Sequence, residues 1–558
     1  MTPDRPSRLL LALGLTVAVT FVLFAIWARF PVPYRDDWDW LTMTMPGPLD
    51  LVRLLQPHNE HLIPLARLLH AWQYRLEGAA GQLIFWLALA CQAGIVALVL
   101  REVQVRWSDA PATTRMALAG VSLALLCFAW QLQSIVFVAA ILFPVVQLTA
   151  VLGVAAAVRA GDVEGWRRAG WLGVSLVASV TAVLTTTNGL VLPVALALVA
   201  LAMRESRWLV AVHLTTAVVG GAAFYFLVLA RLPGPGLSLA ADAPAAVLSY
   251  FAAFFAPFVT YFDALAGVAA GAVLVVPGLA LVVRALANGR RVTRLDRFVA
   301  GLMLFAFGTA ILAAFGRASF GIDQAAQSRY ATYTQVYWTA LLLGLVSLMD
   351  RGRRAARMAP MTQWCGVIAM GALLVAHIAT GLVWIAKTEH VATAGLTVRA
   401  DVPDEAWLTV LHPHTDMVWH VQERLRADRS RGLVDPWMGR RLGRDDRLPA
   451  CEGGLSAVLV DNPRGQTVRV SGTSEADSVR ALLIDADDVV VGLVEHAPLV
   501  EAPDAPRAMF VTALRQRATQ WTEGSTRWFG LARATRAPYR FVALDDSGAP
   551  MCATVIAP

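Results

Sequence analysis

Three carboxylates fall within four consecutive positions, Asp36, Asp37 and Asp39, interleaved with Trp38 and Trp40 and preceded by Tyr34 and Arg35. A hydroxyl or amine that attacks a sugar carbon must lose its proton, and a positioned carboxylate can take it. Partial desolvation and neighbouring like charges raise a carboxyl pKa, which suits a base. The two indoles offer flat faces of the kind sugar rings stack on, although tryptophan also marks membrane interfaces. The alternative is structural: the aspartates cap a helix and pair with Arg29 or Arg35.

Two further groups carry polar chemistry. His58-Asn59-Glu60-His61 sets two imidazoles three residues apart with a carboxylate between them. The group suits hydrogen bonding to a sugar or to the acidic cluster. A divalent ion would also fit, although the spacing is not the i, i+4 of a zinc-protease helix. A polar kink between two interfacial helices explains the same residues. Arg317 and Arg329, the latter followed by Tyr330, bracket a polar segment. Guanidinium forks bind phosphate oxygens bidentately and can stabilise a departing phosphate. Snorkelling to lipid headgroups is the competing explanation.

The elements that must position these residues are membrane helices. The chain has 558 residues, is 57% hydrophobic and has a mean hydropathy of +0.57, beyond the range of ordinary soluble domains. Eleven apolar runs read as spans: about 9–28, 82–100, 116–130, 135–158, 169–186, 189–203, 209–230, 264–283, 298–315, 334–349 and 363–385. The run 9–28 is too long for a signal-peptide core and no small-residue cleavage site follows it, so it reads as an anchor. Nineteen arginines sit in short loops on the side of the N-terminus and eight in those of the opposite side. By the positive-inside rule the N-terminus is cytoplasmic. The net charge of +7 then needs no nucleic acid partner. The loop 29–81, with all of the acidic and histidine residues above, lies outside, and so does everything after residue 387.

The outside segment 231–263 is broken by Pro233-Gly234-Pro235-Gly236 and then runs through Tyr250, Phe251, Phe254, Phe255, Phe258, Tyr261 and Phe262. This reads as an interfacial aromatic belt or as the wall of a groove for a lipid tail. After residue 387 the composition turns polar. A helical connector over 388–450 precedes short β-runs at 457–460, 467–470, 480–484, 489–494, 508–513, 528–532, 539–543 and 551–556, spaced as in a β-sandwich. Cys451 and Cys552 bracket that region, and an oxidising outside compartment permits a disulfide between them, two unpaired thiols being the alternative. No phosphate-binding glycine loop and no Gly-x-Ser-x-Gly elbow is present, which argues against an ATP-driven pump and a serine hydrolase. No inside domain is large enough for a nucleotide sugar, so a donor would be membrane-borne.

The set resembles the GT-C superfamily of polytopic glycosyltransferases. Arg35-Asp36-Asp37-Trp38-Asp39 stands where that family carries an acidic pair, in the first outside loop. Together with His58-Asn59-Glu60-His61, Thr187-Asn188-Gly189-Leu190 and the segment from Gly316-Arg317 to Ser328-Arg329-Tyr330, it is similar to a group of uncharacterised bacterial GT-C-like membrane proteins. The resemblance covers roughly residues 8–390. It implies an inner-membrane enzyme with a transmembrane domain over 1–387 and a periplasmic β-sandwich over 451–558. The donor would be a polyprenyl-phosphate-linked sugar, and the acceptor an envelope polysaccharide, lipopolysaccharide, lipid or surface protein. Asp37 or Asp36 would take the acceptor proton in an inverting transfer that requires no cofactor. Trp38, Asp39, His58, Glu60 and His61 would contact substrate. The lipid phosphate would leave toward Arg317, Arg329 and Tyr330. Trp521 and Trp528 become sugar platforms in the outer domain, or core residues. A transporter for a lipid-linked glycan would need charges near the midplane of its spans, and these runs are almost free of them. A non-catalytic glycan-binding assembly protein, with the β-domain as its working part, is the other alternative.

Overall fold

The computed structural model describes residues 5–44, 50–58, 61–79, 81–205, 207–231, 244–349, 355–426, 433–442, 447–474, 480–496, 527–535 and 537–558. Asn59, Glu60, the Pro233–Gly236 break, the expected strand 508–513 and Trp521 lie outside these residues. Two compact units partition the chain. One comprises Met1–Ile26, Leu49–Leu69 and Phe85–Gly381, the other Trp27–Pro48, His70–Ile84 and Leu382–Pro558.

Among the described residues nine helices are long and apolar enough to cross a membrane: Arg5–Trp27, Leu83–Arg106, Ala112–Val136, Val138–Ala160, Gly165–Thr185, Arg207–Leu227, Ala264–Asn288, Arg294–Phe320 and Gln363–Arg399. The protein is a multi-pass membrane protein, mostly helical. Helices are the expected solution, because a bilayer offers no hydrogen bonds and each segment must satisfy its own backbone. The other two apolar runs are helical as well. Val191–Ala202 has 12 residues, short of the roughly 20 that cross a bilayer. Ala331–Met349 buries Thr332, Thr334, Gln335, Thr339 and Ser347. Their partners lie inside the protein: Gln335 donates to the Phe128 carbonyl at 2.9 Å and Ser347 to Asp296 at 3.1 Å.

Within the first unit, charge gathers at helix ends. Arg294 grips Glu102 with two bonds of 2.6 and 2.9 Å, and Arg297 holds Asp162 at 2.9 Å. Every one of these residues belongs to the side the arginine count assigns to the cytoplasm. The first part of the aromatic run packs inside the protein rather than forming a belt. Tyr250, Phe254 and Phe255 are buried, with Phe255 against Phe307 and Tyr337 at 5.3 and 4.5 Å between ring centroids. Phe258 and Tyr261 pack edge-on against Trp130. Tyr250, Phe254 and Phe255 are core, because helix Pro244–Phe254 turns them onto neighbouring helices, whereas Phe251, Phe258 and Tyr261 are half-buried and Phe262 is exposed.

The second unit holds the acidic segment, two short helices, Glu405–Leu411 and Thr415–Arg426, and seven strands. These are β1 (Gly453–Asn462), β2 (Gly465–Ser474), β3 (Arg480–Ile484), β4 (Val490–His496), β5 (Arg527–Arg533), β6 (Tyr539–Leu544) and β7 (Pro550–Ile556). The expected sandwich of two sheets is instead one antiparallel sheet in the order β1-β2-β5-β4-β3-β6-β7. The reason is β5, which pairs with β2 on one side and β4 on the other and so joins what would have been two sheets. Its two faces are covered differently. Trp528, Val468, Val470, Leu483 and Phe541 form a core on one. The opposite face receives helix Glu405–Leu411, with the Trp407 ring tilted against Phe529 at 5.0 Å between centroids and Asp404 clamped by Arg469. The outermost strands of the sheet are tied together: Cys451, just ahead of β1, is disulfide-bonded to Cys552 in β7, and the Ala553 N–H donates to the Pro449 carbonyl at 2.9 Å.

Candidate functional site

Asp36, Asp37 and Asp39 occupy the first turn of helix Asp36–Thr44. Negative charge is stabilised there by the unpaired N–H groups and the helix dipole. The three are not equivalent. Asp37 is 2% exposed, and its Oδ2 accepts the Tyr34 N–H at 3.1 Å while its own N–H donates to the Tyr34 carbonyl at 3.2 Å. That reciprocal pair closes the entry to the helix. Asp36 and Asp39 remain partly accessible. Trp38 and Trp40 are fully buried, so neither offers a face to a sugar. They anchor the helix instead, Trp40 edge-on to His70 at 5.4 Å.

Arg35, immediately before this helix, has φ of +53°, a conformation that costs a non-glycine residue roughly 1–2 kcal/mol. It is held there by a bond from its N–H to the Leu411 carbonyl at 2.7 Å. The next residue, His412, is a site residue the sequence reading missed. Its Nδ1 meets both the His414 N–H at 3.0 Å and the His414 carbonyl oxygen at 3.2 Å, which turns the other ring nitrogen, Nε2, toward the acidic helix. That nitrogen faces Oδ2 of Asp39 at 3.8 Å. Beside them the buried Tyr34 sits between two cations. Arg35 Nε donates to its hydroxyl at 3.2 Å, and the Lys387 ammonium lies 5.3 Å from its ring centroid. Burial opposes ionisation of this phenol. The charges of Lys387 and Arg35 outweigh burial and hold its pKa below the ordinary tyrosine value.

In the other unit, His58 and His61 exchange backbone hydrogen bonds of 2.9 Å in both directions. Arg67 fixes the chain leading to His58 by donating to the Arg53 and Pro57 carbonyls at 2.7 and 3.2 Å. His61 Nδ1 meets the Thr187 hydroxyl at 3.2 Å. Two motifs 126 residues apart thus share one locus. Gly189 lets the chain enter the short helix Thr187–Leu190, since a Cβ on it would stand 1.9 Å from the Ala182 carbonyl oxygen. Among the described residues no three His, Cys, Asp or Glu side chains gather as metal ligands would.

Arg317 ends helix Arg294–Arg317 and lies over the Phe320 ring at 5.5 Å. Arg329 lies over Tyr330 at 5.3 Å and donates to Gln324 Oε1 at 3.3 Å. Its Nε is buried with no hydrogen-bond partner, and among the described residues no carboxylate pairs with it. An arginine left in that state is set up to receive an oxyanion. Tyr330 is buried against Phe143 and Phe254, so it supports Arg329 from beneath. Trp528 is 1% exposed within the β-sheet core and is no sugar platform.

No family model matches the chain and no curated protein matches it. Among solved structures it is similar to the crystal structure of ArnT from Cupriavidus metallidurans bound to undecaprenyl phosphate, at 14% identity, over 79% of this chain and 81% of that one, with a TM-score of 0.36. A likeness of that degree assigns no role to any residue here.

Proposed function

We propose that this protein is an inner-membrane glycosyltransferase that moves a sugar from a polyprenyl-phosphate donor to a cell-envelope acceptor on the periplasmic side. The observation that carries the reading is the head of helix Asp36–Thr44. There a buried, hydrogen-bonded Asp37 stands beside two accessible carboxylates, on the outer side of the first span in the arginine-derived topology. Such a cluster suits removal of a proton from an incoming hydroxyl or amine. The acceptor oxygen or nitrogen attacks C1, the C1–O bond to phosphate breaks, and inversion follows from a single displacement. The proton passes to Asp36 or Asp37. The phosphate departs with its charge countered by Arg317 and Arg329, the latter braced by Tyr330. Asp39 with His412, and His61 with Thr187, contribute hydrogen bonds to substrate, as do His58 and Glu60. The transfer requires no cofactor, and a divalent ion at the acceptor side is compatible with it. The N-terminus is cytoplasmic, and the connector 388–450 and the β-domain are periplasmic.

The test is transfer in vitro from a panel of polyprenyl-phosphate sugars, with wild type, Asp36→Asn and Asp37→Asn purified in parallel. One donor turned over by the wild type, with kcat reduced at least about 100-fold in one variant at unchanged fold, supports the reading. Turnover that survives both substitutions excludes Asp36 and Asp37 as the base.

A further inference from the structure

We propose that Lys387, Arg35 and the Tyr34 hydroxyl form a binding site for a phosphate group presented at the membrane surface. Three observations carry it. First, Lys387 is the only lysine in a chain with 47 basic residues. Its ammonium is half-buried, 4.8 Å from the Trp384 ring and 5.3 Å from the Tyr34 ring. A compact, strongly hydrated charge is costly to hold against two aromatic faces, and each cation–π contact returns only about 0.5–2 kcal/mol.

Second, Arg35 converges on the same phenol, with its guanidinium carbon 5.5 Å from the ring centroid. Among the described residues neither cation is paired with a carboxylate, and Arg35 makes its one side-chain hydrogen bond through Nε. Its two Nη groups therefore remain for an oxyanion. Two cations gathered without a counter-ion repel each other, and an anion between them removes that repulsion. Third, the backbone of Arg35 is held at positive φ by the Leu411 carbonyl. Strain of this kind persists where the surrounding structure fixes a side chain for a task.

The geometry suits phosphate in particular. Arginine supplies a fork, lysine a point charge, and the tyrosine oxygen a polar seat between them. Position suits a ligand at the membrane surface, because Tyr34 follows the first span within a few residues and Lys387 lies on helix Ala355–Arg399. Neither Lys387 nor Tyr34 belongs to the residues assigned above to the donor phosphate, and the site does not depend on the transferase reading.

The single lysine makes the test direct. An amine-reactive acetylating ester modifies Lys387 and the chain's α-amine, and peptide mass spectrometry reads both rates in the intact protein. Inorganic phosphate, phosphatidylglycerol vesicles and micellar polyprenyl phosphate are added in separate arms. A ligand at ten times its Kd slows Lys387 acetylation about tenfold by mass action, with the α-amine unaffected as internal reference. Protection by the lipids alone identifies a headgroup, and protection by inorganic phosphate identifies the bare oxyanion. In a second measurement, Lys387→Gln and Arg35→Gln each weaken equilibrium binding of the protecting ligand at least tenfold, and Lys387→Arg restores part of it. Equal acetylation rates in every arm, or unchanged binding in both Gln variants, overturn the proposal. Neither readout requires turnover.

Discussion

Asp404→Ala should unseat the candidate site from a distance. The Asp404 carboxylate is fully buried and takes two bonds of 2.7 Å from Arg469 Nε and Nη2 on β2. It also caps helix Glu405–Leu411 by accepting the Trp407 N–H at 3.4 Å. The last residue of that helix, Leu411, offers the carbonyl that holds Arg35, and His412 follows. The lost cap costs about 1 kcal/mol. Breaking one side of a buried ion pair costs about 3–5 kcal/mol. The lower end applies here, because the Arg469 side chain is 31% exposed and can find water. The sum is about 4 kcal/mol. Replacing both partners with apolar groups should restore the pair's share, so D404L/R469M should fall within about 1 kcal/mol of wild type, the missing cap. The assay is a double-mutant cycle on the full chain in detergent, followed by tryptophan fluorescence through denaturant unfolding. Single-mutant losses that simply add in the double mutant would refute the reasoning, since they would show that the two side chains do not depend on each other.

Three further outcomes follow from the same structure. His70 is buried against Trp40, and burial pushes its pKa down to about 4. The folded state therefore binds its proton less readily than the unfolded state. Its contribution is fully present above pH 6.5 and is lost as pH falls toward 4, by up to about 3 kcal/mol. A stability–pH profile of His70→Phe should be flatter over that window. Cys451→Ser/Cys552→Ser opens a loop of 101 residues and should cost about 4–5 kcal/mol by loop entropy, read as an earlier unfolding transition that reducing agent reproduces in the wild type. Gly189→Ala drives a methyl into the Ala182 carbonyl and should destabilise by about 1–3 kcal/mol. Gly170→Ala, at a helical position with open space around it, should be neutral or stabilise by about 1 kcal/mol. Equal melting temperatures for these two glycine variants would remove the steric argument.

Much of this was legible in the sequence because it depends on period and composition. Apolar runs mark helices in a membrane, and alternating short runs mark strands, so β3, β5, β6 and β7 lie within a residue of where the pattern sets them, while β2 extends beyond its run at both ends. What pairs with what was not legible. Nothing local says that β5 lies between β2 and β4, and that one pairing turns two expected sheets into one. The aromatic run from Tyr250 to Phe262 reads as a belt because hydropathy does not tell a lipid-facing ring from one facing another helix. His412 and Lys387 escaped for a different reason. Each acquires its meaning only beside the acidic helix, more than 350 residues earlier in the chain. One signal was nevertheless in plain view, since a single lysine among so many arginines is an anomaly of composition.

Three aspartates where a pair would suffice for chemistry become intelligible once their environments are separated. The head of helix Asp36–Thr44 needs an acceptor for the Tyr34 N–H, and Asp37 meets that need with one oxygen. Capping demands an oxygen but no charge, whereas proton removal demands a basic carboxylate. Asn and Ala at each position therefore distinguish the roles. Asp37→Asn keeps an acceptor oxygen and should hold the fold, while Asp37→Ala loses it and should cost about 1 kcal/mol. At Asp36 and Asp39, which make no such bond to the helix entry, Asn and Ala should be equivalent for stability and differ from wild type only in transfer or binding. If Asp37→Asn keeps both stability and turnover, Asp37 serves the helix entry alone and the base is Asp36. If it keeps stability and loses turnover, one carboxylate serves both the helix and the reaction.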